Sequence, residues 1–589
     1  MKYLREIVFL LGDEKKRLPK FVVLFLSVSM LELIGIGLIG PYIAIISDSD
    51  ASENASENFN RLFNFDVTAD EIIILMSLLL VFIFFLKAAS SIVIRYVILK
   101  FSADQQVRIR SFLMKSYQSL PYTEYLRRNS SEYINSVSSL SGQYANGVIA
   151  SLIGMASDGI IALSIFVFLA WTDLMAFLLL ICLISVTIFT YDLFSRKYAF
   201  QLGKRMNFSG MSMIKGISEA FEGFKEINVL GVKESFYNKV KKNAEIQGGC
   251  ITRTAILGEI PRYLLEVVMV LFIALFSIIS LKIGREMQEL LPTLAIFGFA
   301  AIRLLPAANT FSGTFTKLRT HRDAVSKLYH DIASLRCNQD KTIHLSDASN
   351  NNLVSFKNLS VQEGVFHYPY SKECSLCNLN IDIQSGQSIG IIGESGSGKT
   401  TLIDILLGLL TPQKGSIFLN GELSSLDSRD WRDIIAYIPQ EIFLIDDTLR
   451  RNIALGVDDG DIDESKVLSA LASACLTSLI QQLPEGLDTM LGERGVRLSG
   501  GQRQRVALAR AFYHEREIIV MDEATSALDD KTEREITKEI QMLKGEKTLI
   551  IIAHRHTTLQ SCDYIYKLEK GRIISSGVPE KMLNIGGNS

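Results

Sequence analysis

Six apolar runs, each about twenty residues or longer, crowd into the first 320 positions, at about 21–46, 71–98, 147–171, 174–194, 255–281 and 290–316. Each is long enough to cross a hydrocarbon core as a helix. Lys and Arg in the flanks set the orientation. The N-terminal segment carries Lys2, Arg5, Lys15, Lys16, Arg17 and Lys20. The loop at 99–146 carries Lys100, Arg108, Arg110, Lys115, Arg127 and Arg128, and 195–254 is richer still. By contrast, 47–70 has only Arg61 among many acids, and Trp171-Thr172-Asp173 is a tight turn. The pattern therefore places the N-terminus, both long loops and the C-terminal part in the cytoplasm, with 47–70 outside. Within 47–70, Phe59, Leu62 and Phe63 stand at i, i+3, i+4, which suits a short interfacial helix or a packed loop. The two long loops keep helical periodicity. They are expected to extend the membrane helices and to cross over near 128–136 and 228–237, where they can touch a soluble domain.

The periodicity changes after a polar stretch at about 333–352. From 353 onward, β-rich runs alternate with helical ones, as in an α/β domain. The expected organisation is a six-helix membrane domain over 1–332, a linker over 333–352, an α/β domain over 353–580 and a tail over 581–589. Composition agrees: hydrophobic residues make up 48% of 589, and the mean hydropathy is +0.24. The net charge of −2 carries no nucleic-acid signature. No cleavable signal segment is evident. The seven cysteines are scattered, which argues against a disulfide framework. Cys374 and Cys377 form a lone C-x-x-C, and no second pair completes a zinc site.

Chemistry concentrates in the α/β part. Ser388 to Ile392 reads as a buried strand, followed by Gly393, Glu394, Ser395, Gly396, Ser397, Gly398, Lys399, Thr400 and Thr401, then a helix through Leu409. That is the context a G-x-x-x-x-G-K-[ST] phosphate loop requires. Its glycines let backbone N–H groups face phosphates, and the helix N-terminus favours the anion. Lys399 is expected on the β- and γ-phosphates and Thr400 on Mg²⁺. A second apolar strand, Ile518 to Met521, ends in Asp522 and Glu523. Asp522 is placed to hold Mg²⁺, and Glu523 to polarise the attacking water. His554, after the apolar run 548–552, stands where it can contact a γ-phosphate.

Residues 353–580 resemble the nucleotide-binding domain of ABC transporters. Gly393–Thr400 resembles the Walker A motif, Asp522 with Glu523 the Walker B, and Leu498–Gln502 the signature sequence. Gln440 is similar to the Q-loop glutamine, Ser526–Asp529 to the D-loop and His554 to the switch histidine. Tyr368 matches the aromatic that stacks on adenine, and Gly492–Gly495 the segment that exporters set against their coupling loops. The resemblance implies an ATP- and Mg²⁺-dependent hydrolase. It assigns catalysis to Glu523, His554 and Gln440, and the metal to Thr400, Gln440 and Asp522. It also implies that Ser499, Gly500, Gly501 and Gln502 cover the nucleotide of an opposite subunit. One chain supplies one of each half-site, so the simplest assembly is a two-fold homodimer.

The order of membrane domain, then ATPase resembles an ABC exporter half-transporter. Ionisable residues within the runs are costly in lipid unless paired or hydrated: Glu32, Lys87, Asp158, Asp192, Glu259, Arg262, Glu266 and Arg303. Lys87, Arg262 and Arg303 fall at similar depth and could line a path for an anionic head group. Glu259, Arg262 and Glu266 could equally neutralise one another on one helix face. The runs Met30 to Gly35, Ile260 to Glu266 and Arg303 to Asn309 resemble bacterial lipid-linked oligosaccharide flippases of the ABC class. This resemblance implies movement of a polyprenyl-diphosphate-linked glycan, or a similar anionic glycolipid, to the outer leaflet of a bacterial inner membrane. An exporter of another lipid, a peptide or a drug is the alternative, and an ATP-gated channel is a third reading.

Overall fold

The computed structural model describes residues 2–47, 60–61, 68–282, 287–346, 355–369, 371, 373–524, 529–553 and 555–584. They form two compact units. One joins Met1–Leu120 to Arg128–Lys341; the other joins Pro121–Arg127 to Thr342–Ser589.

The first unit is helical. All six predicted runs fall on long helices: Leu18–Ser47, Ala69–Gln118, Ala150–Thr172, Leu174–Glu222, Lys233–Lys282 and Met287–Thr320. Among the described residues, five helices are long and apolar enough to cross a membrane. The run at 290–316 lies on Met287–Thr320, whose side chains up to 295 lie outside the described residues. The two 50-residue helices, Ala69–Gln118 and Lys233–Lys282, would each rise about 75 Å. That exceeds twice the roughly 30 Å hydrocarbon thickness, so each holds a span plus a long extension. Local signals fix the joints. Thr68 and Glu71 form a reciprocal capping box at the start of Ala69–Gln118. Asp173 Oδ1 accepts from the N–H groups of Met175 and Ala176 at 3.0 Å, which makes 172–174 a sharp turn between two helices. Of the segment expected outside, 47–70, residues 47, 60–61 and 68–70 are described; Phe59, Leu62 and Phe63 lie outside the described residues.

Inside this unit, Phe272, Phe276 and Phe297 stack in the core. Leu78, Val81, Phe82, Phe85 and Ile92 point outward, as they must where the surroundings are lipid. A polar knot holds one end. Asp331 accepts from Tyr117 at 3.0 Å, Arg128 at 2.5 Å and Ser136 at 3.1 Å. The helix that carries Asp331, Arg322–Ser346, includes the first fourteen positions of the expected linker.

The first crossing segment differs from its expected place: its short helix is Tyr122–Tyr125, although a further short helix, Ser130–Asn135, falls within 128–136. At the second, the short helix Phe224–Val229 overlaps the start of the expected 228–237. Pro121 is the reason for the first shift: it cannot continue the long helix and becomes the N-cap of the short one. Arg128 is committed to Asp331, so 128–136 belongs to the helical unit, while 121–127 belongs to the α/β unit. Gly223 and Gly231, the latter at φ +70°, bracket the second short helix.

The second unit holds two sheets. The strands are β1 (Asn358–Phe366), β2 (Leu376–Gln384), β3 (Ser388–Gly393), β4 (Lys414–Leu419), β5 (Glu422–Leu423), β6 (Ile435–Ile438), β7 (Ile518–Asp522), β8 (Thr548–Ile552), β9 (Tyr564–Glu569) and β10 (Arg572–Gly577). The antiparallel sheet has the order β2-β1-β4-β5, and the second sheet β10-β9-β3-β8-β7-β6. In the second sheet β3, β6, β7, β8 and β9 run parallel. β7 and β8 are buried at every position, as expected of strands covered on both faces. β2 instead alternates, with Leu379, Ile381 and Ile383 inward. This layering brings the C-terminal ends of β3 and β7 side by side through β8, and there the site forms.

Candidate active site

The phosphate loop leaves β3 at Gly393 and enters the helix Lys399–Leu406. Gly398 is the N-cap at φ +104°, and a Cβ there would sit 2.7 Å from the Ser375 carbonyl. Only glycine fits so strained and crowded a place. Lys399 Nζ donates to the carbonyls of Gly393 at 2.7 Å and Glu394 at 2.9 Å, so its charge is held over the loop. Tyr368 Oη lies 3.4 Å from Thr401 Oγ1, which places the aromatic beside the first turn of this helix.

Across from the loop, β7 delivers Asp522 and Glu523. Asp522 is buried. Glu523 has φ +49°, a strained value for a residue with a side chain. Three contacts hold it there. Its N–H donates to Ile552 O at 3.0 Å. Its carbonyl accepts from Gln504 Nε2 at 3.2 Å, and its carboxylate accepts from Gln440 Nε2 at 2.9 Å. Ser395, Gly396, Gly398, Lys399, Thr400, Thr401, Gln440, Asp522 and Glu523 thus line one cleft of about 750 Å³.

The electrostatics are unbalanced toward negative charge. Burial, then the neighbouring Glu523, raises the Asp522 carboxyl above its usual range, and Lys399 opposes the shift. Asp404, one turn along the loop helix, is pushed up to about 6 by burial and then by Asp522. Carboxylates that crowd one another in this way are suited to a divalent ion. The donor set of Thr400, Gln440 and Asp522 therefore fits Mg²⁺, which when bound neutralises phosphate charge.

The expected signature residues do not line this cleft. Ser499 is the N-cap of Gly500–Tyr513 and forms a capping box with Gln502, at 2.8 and 3.2 Å. Gly500 and Gly501 open that helix. His554 and Ser526–Leu528 lie outside the described residues. Asp529 caps the helix Asp530–Met542. Sequence reading passed over Asp404, Gln504 and Tyr437, whose side chain hydrogen-bonds the Asp522 carboxyl. A lone Asp within Leu402-Ile403-Asp404-Ile405 is the signal for the first; Gln504 and Tyr437 gave none.

The membrane candidates are placed differently. Lys87 Nζ pairs with buried Glu32 at 2.7 Å and lies 4.7 Å from the Phe84 ring centroid. Arg262 pairs with Glu266 at 3.3 Å on an exposed face. Arg303 lies on Met287–Thr320, and its side chain is outside the described residues.

Comparison with known proteins extends this geometry. The ABC transporter family profile matches residues 376–526. An ATP-dependent lipid A-core flippase of Photobacterium profundum is 26% identical over 90% of this chain and 89% of its own. One of Ralstonia nicotianae is 27% identical over 80% of each chain. A solved bacterial Atm1-family ABC exporter with ATP bound has the same fold, with a TM-score of 0.78 at 20% identity over 97% of each chain. The chain is therefore an ABC transporter ATPase domain fused to a helical membrane domain, in the arrangement of the ABC exporter fold.

Proposed function

We propose that this exporter is an ATP-driven lipid flippase that carries an anionic glycolipid from the cytoplasmic to the outer leaflet of a bacterial inner membrane. One observation carries the lipid cargo. The likeness to proteins named lipid A-core flippases runs over 537 residues and so through the helical unit, well beyond the ATPase domain that all such machines share. A polyprenyl-diphosphate-linked oligosaccharide is the particular cargo proposed, on the membrane-helix motifs that contain Arg262 and Arg303. The relatives' names favour a second reading, a lipid A-core type of cargo. Lys87, held by a buried carboxylate, serves the fold in either reading.

The ATPase residues act as follows. The N–H groups of the phosphate loop and Lys399 bind the β- and γ-phosphates. Tyr368 stacks on the base. Thr400, Gln440 and Asp522 would hold Mg²⁺. Glu523, fixed by Gln440 and Gln504, accepts a hydrogen bond from the attacking water and aims it at phosphorus. His554 contacts the γ-phosphate. The helix that begins after Ser499 presents its N-terminal N–H groups to the nucleotide of a second copy, so two chains close two sites as a homodimer. The segment 121–127, compact with the ATPase unit, passes closure on to the helices.

The test is leaflet exchange in proteoliposomes that contain purified protein and labelled lipid. A polyprenyl-diphosphate glycan and a lipid A-core glycolipid are run in parallel, with Glu523→Gln as control. Movement of the first, dependent on ATP and lost in the control, supports the proposal. Movement of the second alone selects the second reading. ATP hydrolysis without movement of either would sink the flippase assignment.

A further inference from the structure

Cys374, just before β2, and Cys377, at the start of β2, are joined by a disulfide with Cα atoms 5.9 Å apart. That separation lies within the range disulfides bridge. Both cysteines are half-buried, whereas Cys250 and Cys562 are buried in cores. The pair is built into the nucleotide site by several independent contacts. Cys374 and Ser375 line the cleft. The Cys377 N–H donates to the Gly571 carbonyl at 2.8 Å, and the Gly571 N–H donates to the Ser397 carbonyl at 2.9 Å. One residue thus stands between the cysteine backbone and the phosphate loop. The Ser375 carbonyl faces Gly398 so closely that no Cβ could come between them. On the other side, the Ser375 N–H donates to Phe366 O at 2.9 Å, two residues before Tyr368. The pair therefore sits between the base-stacking residue and the phosphate loop.

We propose that Cys374 and Cys377 form a reversible thiol–disulfide modification site that sets how tightly the cleft holds nucleotide. This goes beyond the transport reading and does not depend on the cargo. In a reducing cytosol the pair rests as a dithiol, since disulfides there are transient and redox-sensing. A small-molecule disulfide of the glutathione class is the oxidant. The thiolate of one cysteine attacks one sulfur of the oxidant and expels one thiol, leaving a mixed disulfide. The thiolate of the other then attacks the protein sulfur and expels the second thiol. Two protein thiols lose two electrons and two protons, and the oxidant disulfide becomes two thiols. Closing the ring confines residues 374–377, which back the phosphate loop. A pocket already confined loses less freedom when ATP enters, so the oxidised form binds ATP about threefold more tightly.

The experiment uses the full chain in lipid nanodiscs, equilibrated across ratios of reduced to oxidised glutathione. Alkylation followed by mass spectrometry reads the state of the 374–377 peptide. ATP affinity is read with a fluorescent ATP analogue and as the ATPase KM. The expected result is a two-electron transition at this peptide, accompanied by a roughly threefold fall in Kd and KM. Cys374→Ser with Cys377→Ser should show neither. The wild-type comparison needs no variant, so misfolding of the double serine protein leaves the test intact. A pair that stays alkylatable at every ratio overturns the proposal. So does a disulfide that forms without changing ATP affinity, or an affinity change that persists in the double variant.

Discussion

Charge is handled in opposite ways in the two units. In the helical unit three ion pairs match ionisable groups within the spans inside the chain, while Glu259 lies exposed. Glu32 has Lys87, Asp192 has Arg319 and Arg262 has Glu266. In the ATPase unit, Asp404, Asp522 and Glu523 crowd together with Lys399 as the named cation against them. The physical reason is the source of compensation. Lipid supplies none, so a membrane charge must bring its own partner. A nucleotide site can leave excess negative charge because the divalent cation that accompanies the nucleotide supplies the compensation. Unbalanced charge in a cleft is therefore the stronger mark of chemistry, and the paired charges of the spans speak first for folding.

The largest expected effect tests the unbalanced side. Glu523→Gln should slow ATP hydrolysis by at least about 100-fold, the usual worth of a positioned base, with ATP binding retained. Lys399→Ala should instead lose binding. Phosphate release and nucleotide affinity, measured together, separate the two. If Glu523→Gln keeps its rate, the carboxylate at φ +49° is strained for some other purpose.

The next test can break the comparison from the membrane side. If Lys87 and Glu32 are a folding pair, removing either partner strands a buried charge and costs about 3 kcal/mol or more. Glu32→Gln with Lys87→Gln should then recover most of the stability and of the transport. Thermal unfolding in detergent and leaflet exchange read the cycle. If Lys87→Gln alone abolishes transport while stability stays put, Lys87 faces cargo and the division between the units is too sharp.

The same division explains what could be read from the sequence. The phosphate loop, Asp522 and Glu523 were legible because each depends on residue type at fixed spacing beside a buried strand, and the sheet brings them into one cleft. The spans were legible because length and apolarity alone define them. Partner choice was not. Glu32 and Lys87 lie 55 positions apart, and only the packing of their helices joins them. The crossing at 121–127 was misplaced because helical periodicity continues past Pro121, which ends the helix locally. Cys374 and Cys377 read as an idle pair because their role depends on Gly571, almost 200 positions away.

Asp331 is the next target. It accepts from Tyr117, Arg128 and Ser136 at the point where the chain returns from the ATPase unit. Asp331→Ala leaves these donors without an acceptor and should cost about 2 kcal/mol of the helical unit's stability. Asp331→Asn, which keeps an acceptor, should cost less. Equal losses in the two variants would show that the knot is held by shape rather than by hydrogen bonds.

The smallest effect has the opposite sign. Burial and Asp522 raise Asp404 from 3.8 to about 6, so the folded protein holds this proton more tightly than the unfolded chain does. Stability from this group is then fully present below about pH 4 and is lost as pH rises through about 6. Asp404→Asn removes the dependence. The variant should therefore be more stable than wild type at pH 7.5, by on the order of 1 kcal/mol, and the two should converge toward pH 4. Unfolding without nucleotide or metal measures the gap, and Mg²⁺ with ATP should narrow it, because the cation compensates the same carboxylates. A variant less stable at pH 7.5 would mean that Asp404 is already compensated, and the contrast between the two units would lose its clearest example.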